Sequence, residues 1–199
     1  MDEKGTLFTK HPIGKRSEPM EYFTPELYLR SNSLDDDIAD QAQEDWEVAL
    51  RAYKEHLAKL PKRLPAQIRE LALGKSHHDY EVVEYSQKVT QTPTSDQRFG
   101  VHAEISRAVF VVTLKKQDDL ELLIYFITRD VEIRPSVNEW PLTEAGEPLW
   151  LYDEFYAESD RDRDHGYTHC ILLSNGVELT IPFCDVMLIP VEVASNVRS

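Results

Sequence analysis

The apolar residues of this chain keep two different rhythms, and the change from one to the other falls close to Tyr80. Before it, Ile38, Ala42, Trp46, Ala49, Tyr53, Leu57 and Leu60 recur at steps of four and three, which puts them on one stripe of an α-helix. After it, β-branched and aromatic residues gather in runs at 80–90, 101–115, 119–133, 149–157, 167–174, 177–183 and 186–193, the habit of strands. Helices first and strands afterwards predict an α+β fold: a long N-terminal amphipathic helix and a short one packed on a mostly antiparallel sheet of about five to seven strands.

Local signals sharpen that expectation. Ser33-x-x-Asp36 offers a capping box, and Asp35, Asp36 and Asp37 meet the positive end of the helix dipole, so the long helix is expected to run from there to Pro61. Pro65 suits the first turn of the second helix, with Ile68, Leu71 and Ala72 on its apolar face and Gly74 as a left-handed cap. Residues 120–127, LELLIYFI, are apolar on both faces and predict a central strand with the long helix over one side. Gln117-Asp118-Asp119 and Ser174-Asn175-Gly176 read as hairpin turns, and 87–100 and 137–148 as polar loops. Residues 1–19 read as a loose arm and 20–199 as a single domain, mainly helical over 20–79 and mainly sheet over 80–199.

With 199 residues, 41 % of them hydrophobic, the chain can bury roughly 70 % of the surface it exposes when unfolded. Asp and Glu number 36 against 22 Lys and Arg, a net charge of −14 that repels nucleic acid and anionic lipid; ordinary solubility is the plainer reading of it, and a surface built to meet a basic protein partner the sharper one. Asp35, Asp36, Asp37, Glu44, Asp45 and Glu47 are the candidate face for such a partner. The absence of an 18-residue apolar stretch, of a secretory h-region near the N-terminus and of any C-x-x-C pair around Cys170 and Cys184 points to the cytoplasm.

The seven glycines form no G-x-G-x-x-G and no phosphate loop, and neither G-x-S-x-G nor H-E-x-x-H occurs, so no cofactor is expected. Asp160 to Gly166 alternates carboxylates as a calcium loop does, but the glycine is one position late and Ile171 stands where a bidentate Glu belongs; a solvated hairpin tip is the plainer reading. His165 and His169 share i, i+4 spacing, yet on extended backbone they lie roughly 13 Å apart, too far for one metal ion. With Asn175-Gly176 as a two-residue turn, Leu172 faces Leu179, Cys170 faces Ile181 and His169 faces Pro182, placing Cys184 on the other side of the sheet from Cys170, with no disulfide.

The adjacent His77 and His78 point to opposite faces once a strand begins, so a metal centre would have to gather His78, Asp79, Glu154 or Asp153, and His169 from separate strands. The simpler expectation is a polar turn in which Asp79 bonds nearby backbone N–H groups. Trp46 belongs to the helix stripe, and Trp150, Tyr152 and Tyr156 are expected on one strand face in the core. Trp140, before Pro141, is the aromatic expected to meet a partner.

The phrase Tyr22-Phe23-Thr24-Pro25-Glu26-Leu27-Tyr28-Leu29-Arg30, the His78-Asp79 step, Tyr152-Asp153-Glu154 and His169-x-Ile171-Leu172-Leu173-Ser174-x-Gly176-x-Glu178-Leu179 together resemble a group of short uncharacterised bacterial proteins. The resemblance spans 20–190 and implies a bacterial cytoplasmic setting without implying chemistry. The residues themselves favour a non-enzymatic binding or interaction domain. Two rival readings are an acidic immunity-type protein that covers a basic toxin, and a metal-dependent hydrolase centred on His78, Asp79, Glu154 and His169.

Overall fold

The computed structural model describes residues 20–60, 64–74, 76–96, 101–135, 140, 147–157 and 166–191. It is an α+β fold whose elements follow the order α1 (Pro25–Ser31), α2 (Asp36–Leu57), α3 (Ala66–Leu73), β1 (Glu81–Asp96), β2 (Val101–Lys116), β3 (Asp119–Ile127), β4 (Glu132–Arg134), β5 (Trp150–Ala157), β6 (Tyr167–Leu173) and β7 (Glu178–Val191). All seven strands join one curled antiparallel sheet in the order β1-β2-β3-β7-β6-β5, with β4 paired to β7 beside the end of β3. No helix among the described residues is long and apolar enough to cross a membrane. The calcium-like stretch Asp160 to His165 and the arm 1–19 lie outside the described residues.

The helix ends follow elementary capping rules, with two departures from expectation. At α2 the cap is Asp35, whose Oδ1 accepts the N–H groups of Asp37 and Ile38 at 3.1 and 3.3 Å, while Ser33 Oγ accepts the Asp35 N–H at 3.1 Å; the Asp35 carboxylate, two residues beyond Ser33, takes the place of the expected capping box. Gly74, after α3, is not left-handed but sits at φ −94°, ψ −126°. A Cβ there would lie 2.4 Å from the Glu70 carbonyl oxygen, so close approach is what requires glycine.

The sheet separates two cores. Its concave side, closed by Leu64, Ile68 and Leu71 at α3, packs Phe110, Leu114, Leu123, Tyr125, Trp150, Ile171 and Phe183. On the opposite side of β5 and β6 the α1–α2 hairpin covers Leu151, Cys170 and Leu172 with Met20, Phe23 and Tyr53. Here the structure corrects the expected placement of the helix: α2 lies over β5 and β6, where Tyr53 Oη accepts the Phe155 N–H at 2.8 Å and His56 Nε2 donates to the Phe155 carbonyl at 3.0 Å. On β3, Leu123 and Tyr125 enter the concave core, while Leu122, Ile124 and Phe126 on the other side remain half-exposed.

Three further differences have backbone causes. The stretch 87–96 is not a loop but the second half of β1, paired up to Asp96 with Val101; Pro93, which cannot donate to a ladder, sits in a strand at the sheet edge. The runs 177–183 and 186–193 belong to one strand, β7, in which an irregularity at Cys184 and Asp185 shifts the register against β3. A similar shift between Trp150 and Tyr152 turns Trp150 into the concave core and Tyr152 and Tyr156 towards α2, so the three aromatics do not share a face.

The β6–β7 turn has three residues rather than two. The Gly176 N–H donates to the Leu173 carbonyl at 2.8 Å, the Leu173 N–H to the Val177 carbonyl at 2.9 Å, and Gly176 takes φ 79°, the left-handed position that closes such a loop. The extra residue moves the register by one: Ile171 faces Leu179, Cys170 faces Thr180 and His169 faces Ile181. Neither cysteine is in a disulfide; Cys170 is buried and Cys184 exposed. The reason is separation along β7 rather than opposite faces, since the partner of Cys170, Thr180, lies four residues, or roughly 13 Å, from Cys184. Burial pushes the Cys170 thiol up to about 12. In native protein at pH 8, a thiol reagent should therefore label Cys184 within minutes and Cys170 only after denaturant is added; rapid labelling of both would contradict this core.

Candidate functional site

Glu154 is completely buried on the α1–α2 side of β5, and its carboxylate is fully engaged. Oε2 accepts the N–H of Glu21 at 2.8 Å, Oε1 accepts those of Tyr22 at 2.7 Å and Phe23 at 2.6 Å, and the Tyr156 hydroxyl donates to Oε2. A charged acceptor with several donors is among the strongest local interactions a protein makes. Its effect is to pin the segment entering α1 against the sheet, where Phe23 packs edge-on against Tyr53 at 5.2 Å.

On the concave side, alternation brings Asp153 and His169 together. His169 Nε2 donates to Asp153 Oδ2 at 3.2 Å, Tyr125 Oη donates to His169 Nδ1 at 2.9 Å, and Trp150 Nε1 donates to Asp153 Oδ1 at 3.1 Å. One imidazole tautomer, with hydrogen on Nε2, satisfies every partner. Burial works to raise the Asp153 pKa, but the hydrogen bond from His169, with that from the Trp150 indole, outweighs it and holds the carboxyl below its ordinary value. Tyr125 is wholly buried and His169 nearly so, while the Asp153 side chain at the end of this tyrosine–histidine–aspartate line keeps 27 % of its surface exposed. His77 is buried against the same cluster, its ring 5.3 Å from Trp150 and 5.5 Å from Tyr80, with Nε2 3.6 Å from Glu121 Oε2.

Open to solvent instead is a cleft of about 350 Å³ lined by Tyr28, His78, Asp79, Leu149, Leu151, Tyr152 and Ser174. Tyr28 comes from α1, Tyr152 from β5, Ser174 from the β6–β7 turn, and His78 and Asp79 from the turn before β1. His78 Nδ1 donates to the Leu151 carbonyl at 2.5 Å and its ring stacks on Tyr152 at 5.4 Å and 17°, leaving Nε2 3.5 Å from Asp79 Oδ1. Asp79 has φ 67°, the left-handed region that aspartate tolerates better than most residues, and its N–H donates to the Trp150 carbonyl at 2.9 Å. Desolvation first, then the neighbouring Tyr28 and Asp79, hold the Tyr152 phenol above its usual value.

The four residues considered for a metal do not converge. Glu154 serves the N-terminal segment on one side of the sheet, His169 is locked to Asp153 and Tyr125 on the other, and only His78 and Asp79 share the cleft. Among the described residues, no group of three or more His, Cys, Asp or Glu is placed to hold an ion. Trp140 is likewise not a projecting contact: it is buried, donates its indole N–H to the Ser174 carbonyl at 2.5 Å and stacks on Tyr28 at 5.6 Å and 9°. Asp35, Asp36, Asp37, Glu44 and Glu47 are exposed on α2 and the turn before it, whereas Asp45 is engaged by Arg30 at 2.5 Å, which also holds its carboxyl below the usual range. Tyr28 and Ser174 escaped sequence reasoning because each is an ordinary surface residue until the fold places it beside His78. No protein-family model matches the chain, and comparison with curated proteins and with solved structures finds no match.

Proposed function

We propose that this protein is a non-enzymatic binding domain that receives a basic protein partner on its α1–α2 side, as an immunity-type protein covers a toxin. The observation that carries this reading is the division of its charged groups. The polar residues that would be needed for hydrolysis, Glu154 and His169, are spent on internal partners, while Asp36, Asp37, Glu44 and Glu47 stand exposed on one helix. In a chain of net charge −14 such a face steers a cationic partner by long-range attraction.

Calorimetric titration with an arginine-rich decapeptide tests it. Binding at low salt should weaken by more than tenfold between about 0.05 and 0.5 M salt, since screening shortens as the Debye length falls. Glu44→Lys with Glu47→Lys, both away from the helix N-terminus, should weaken it by about fivefold at the lower salt. Failure of the peptide to bind, or affinity indifferent to salt and to these changes, would remove the basic-partner reading.

A further inference from the structure

We infer that the cleft between α1, β5 and the β6–β7 turn is a receptor for one arginine side chain of that partner, its guanidinium held by Asp79 against the Tyr28 ring and beside Tyr152. The inference rests on the basic-partner reading and gives it an anchor point. At about 350 Å³ the cleft lies at the small end of ligand sites, which run from roughly 300 to 1,000 Å³, so it suits a single side chain better than a cofactor. Among the described residues its lining contains no Lys or Arg to hold an anion, and two possible metal ligands, His78 and Asp79, are too few for an ion.

What the cleft does offer is a carboxylate and aromatic side chains in its lining. Asp79, with its side chain 64 % exposed, supplies the negative charge, and its carboxylate is close enough to Tyr152 to help raise the phenol pKa. A planar, weakly hydrated guanidinium can lie over a tyrosine ring while it forks onto a carboxylate; an ammonium, compact and strongly hydrated, gains less from both. The apolar stem would run along Leu149 and Leu151. The lining of the site is braced by its neighbours. Trp140 backs the Tyr28 ring, His78 backs Tyr152, and Ser174 Oγ accepts the Leu149 N–H at 2.8 Å.

Asp79→Asn is the decisive variant, because asparagine accepts left-handed backbone as readily as aspartate and the fold should persist. The arginine-rich decapeptide should bind this variant at least tenfold more weakly than the parent protein. A peptide with citrulline, uncharged and of the same shape, at every arginine should bind neither. If the decapeptide binds both proteins equally, the cleft is not the anchor, although the basic-partner reading stands. If it binds neither protein, the partner reading falls, and arginine amide then decides the cleft alone. Shifts of the His78 and Tyr152 ring resonances in the parent and not in Asp79→Asn support it, and their absence overturns it.

Discussion

Replacing Glu154 with glutamine should lower the free energy of unfolding by about 3 kcal/mol, the cost typical of removing the charged partner from a buried, hydrogen-bonded set. The carboxylate accepts three consecutive backbone N–H groups and one phenol in a place where water does not reach. Glutamine keeps one oxygen but turns an NH₂ towards donors, so either the Glu21 N–H and the Tyr156 hydroxyl or the Tyr22 and Phe23 N–H groups lose their acceptor. For a chain of this size the expected fall in Tm is about 6–12 °C. Thermal melts followed by circular dichroism check it, and an unchanged Tm would mean that the Met20 to Phe23 segment is held by packing alone.

His169→Phe is expected to cost about 2–3 kcal/mol, although phenylalanine fills much the same space. The substitution strands the Tyr125 hydroxyl, which is wholly buried, and takes from Asp153 the imidazole N–H that it accepts. Adding Tyr125→Phe should restore part of the loss, because the stranded hydroxyl goes with it; a double-mutant cycle reads that coupling directly. The same network sets an acid response. Asp153 is depressed in the folded state below its ordinary 3.8, so its contribution is complete above that value and drains away as pH falls below it. Urea melts should show the parent losing stability between about pH 4 and pH 2 more steeply than His169→Phe, in which that depression is relieved. Equal slopes would contradict the assignment of Asp153 to His169.

How far the sequence reached follows from which interactions are local. The switch of period near Tyr80, the acidic start of α2 and the turn at Ser174 to Gly176 are written in neighbouring residues, and each marks a real element. The registers were not legible to the same degree. One additional residue in the β6–β7 turn moves every cross-strand partner of His169 and Cys170, and the shift at Leu151 sends Trp150 and Tyr152 to different cores. Glu154 and Asp153 are adjacent and chemically alike, yet one anchors the chain entry and the other a buried histidine, because β-alternation assigns them to opposite sides. The cleft drew on four separate segments, so only the folded chain could reveal it. The apolar outer side of β3 was read correctly as apolar, but which layer covers which strand depends on where the α1–α2 hairpin is tied, and that tie is Glu154.

The reading of the α1–α2 side as a binding surface presupposes that this side is fastened to the sheet by Glu154. Amide hydrogen exchange at Glu21, Tyr22 and Phe23 addresses that most directly, since these three N–H groups are the ones its carboxylate holds. In the native protein they should exchange slowly, and in Glu154→Gln they should exchange at least a hundredfold faster while β6 amides keep their protection. Fast exchange in the parent protein, or unchanged slow exchange in the variant, would contradict it.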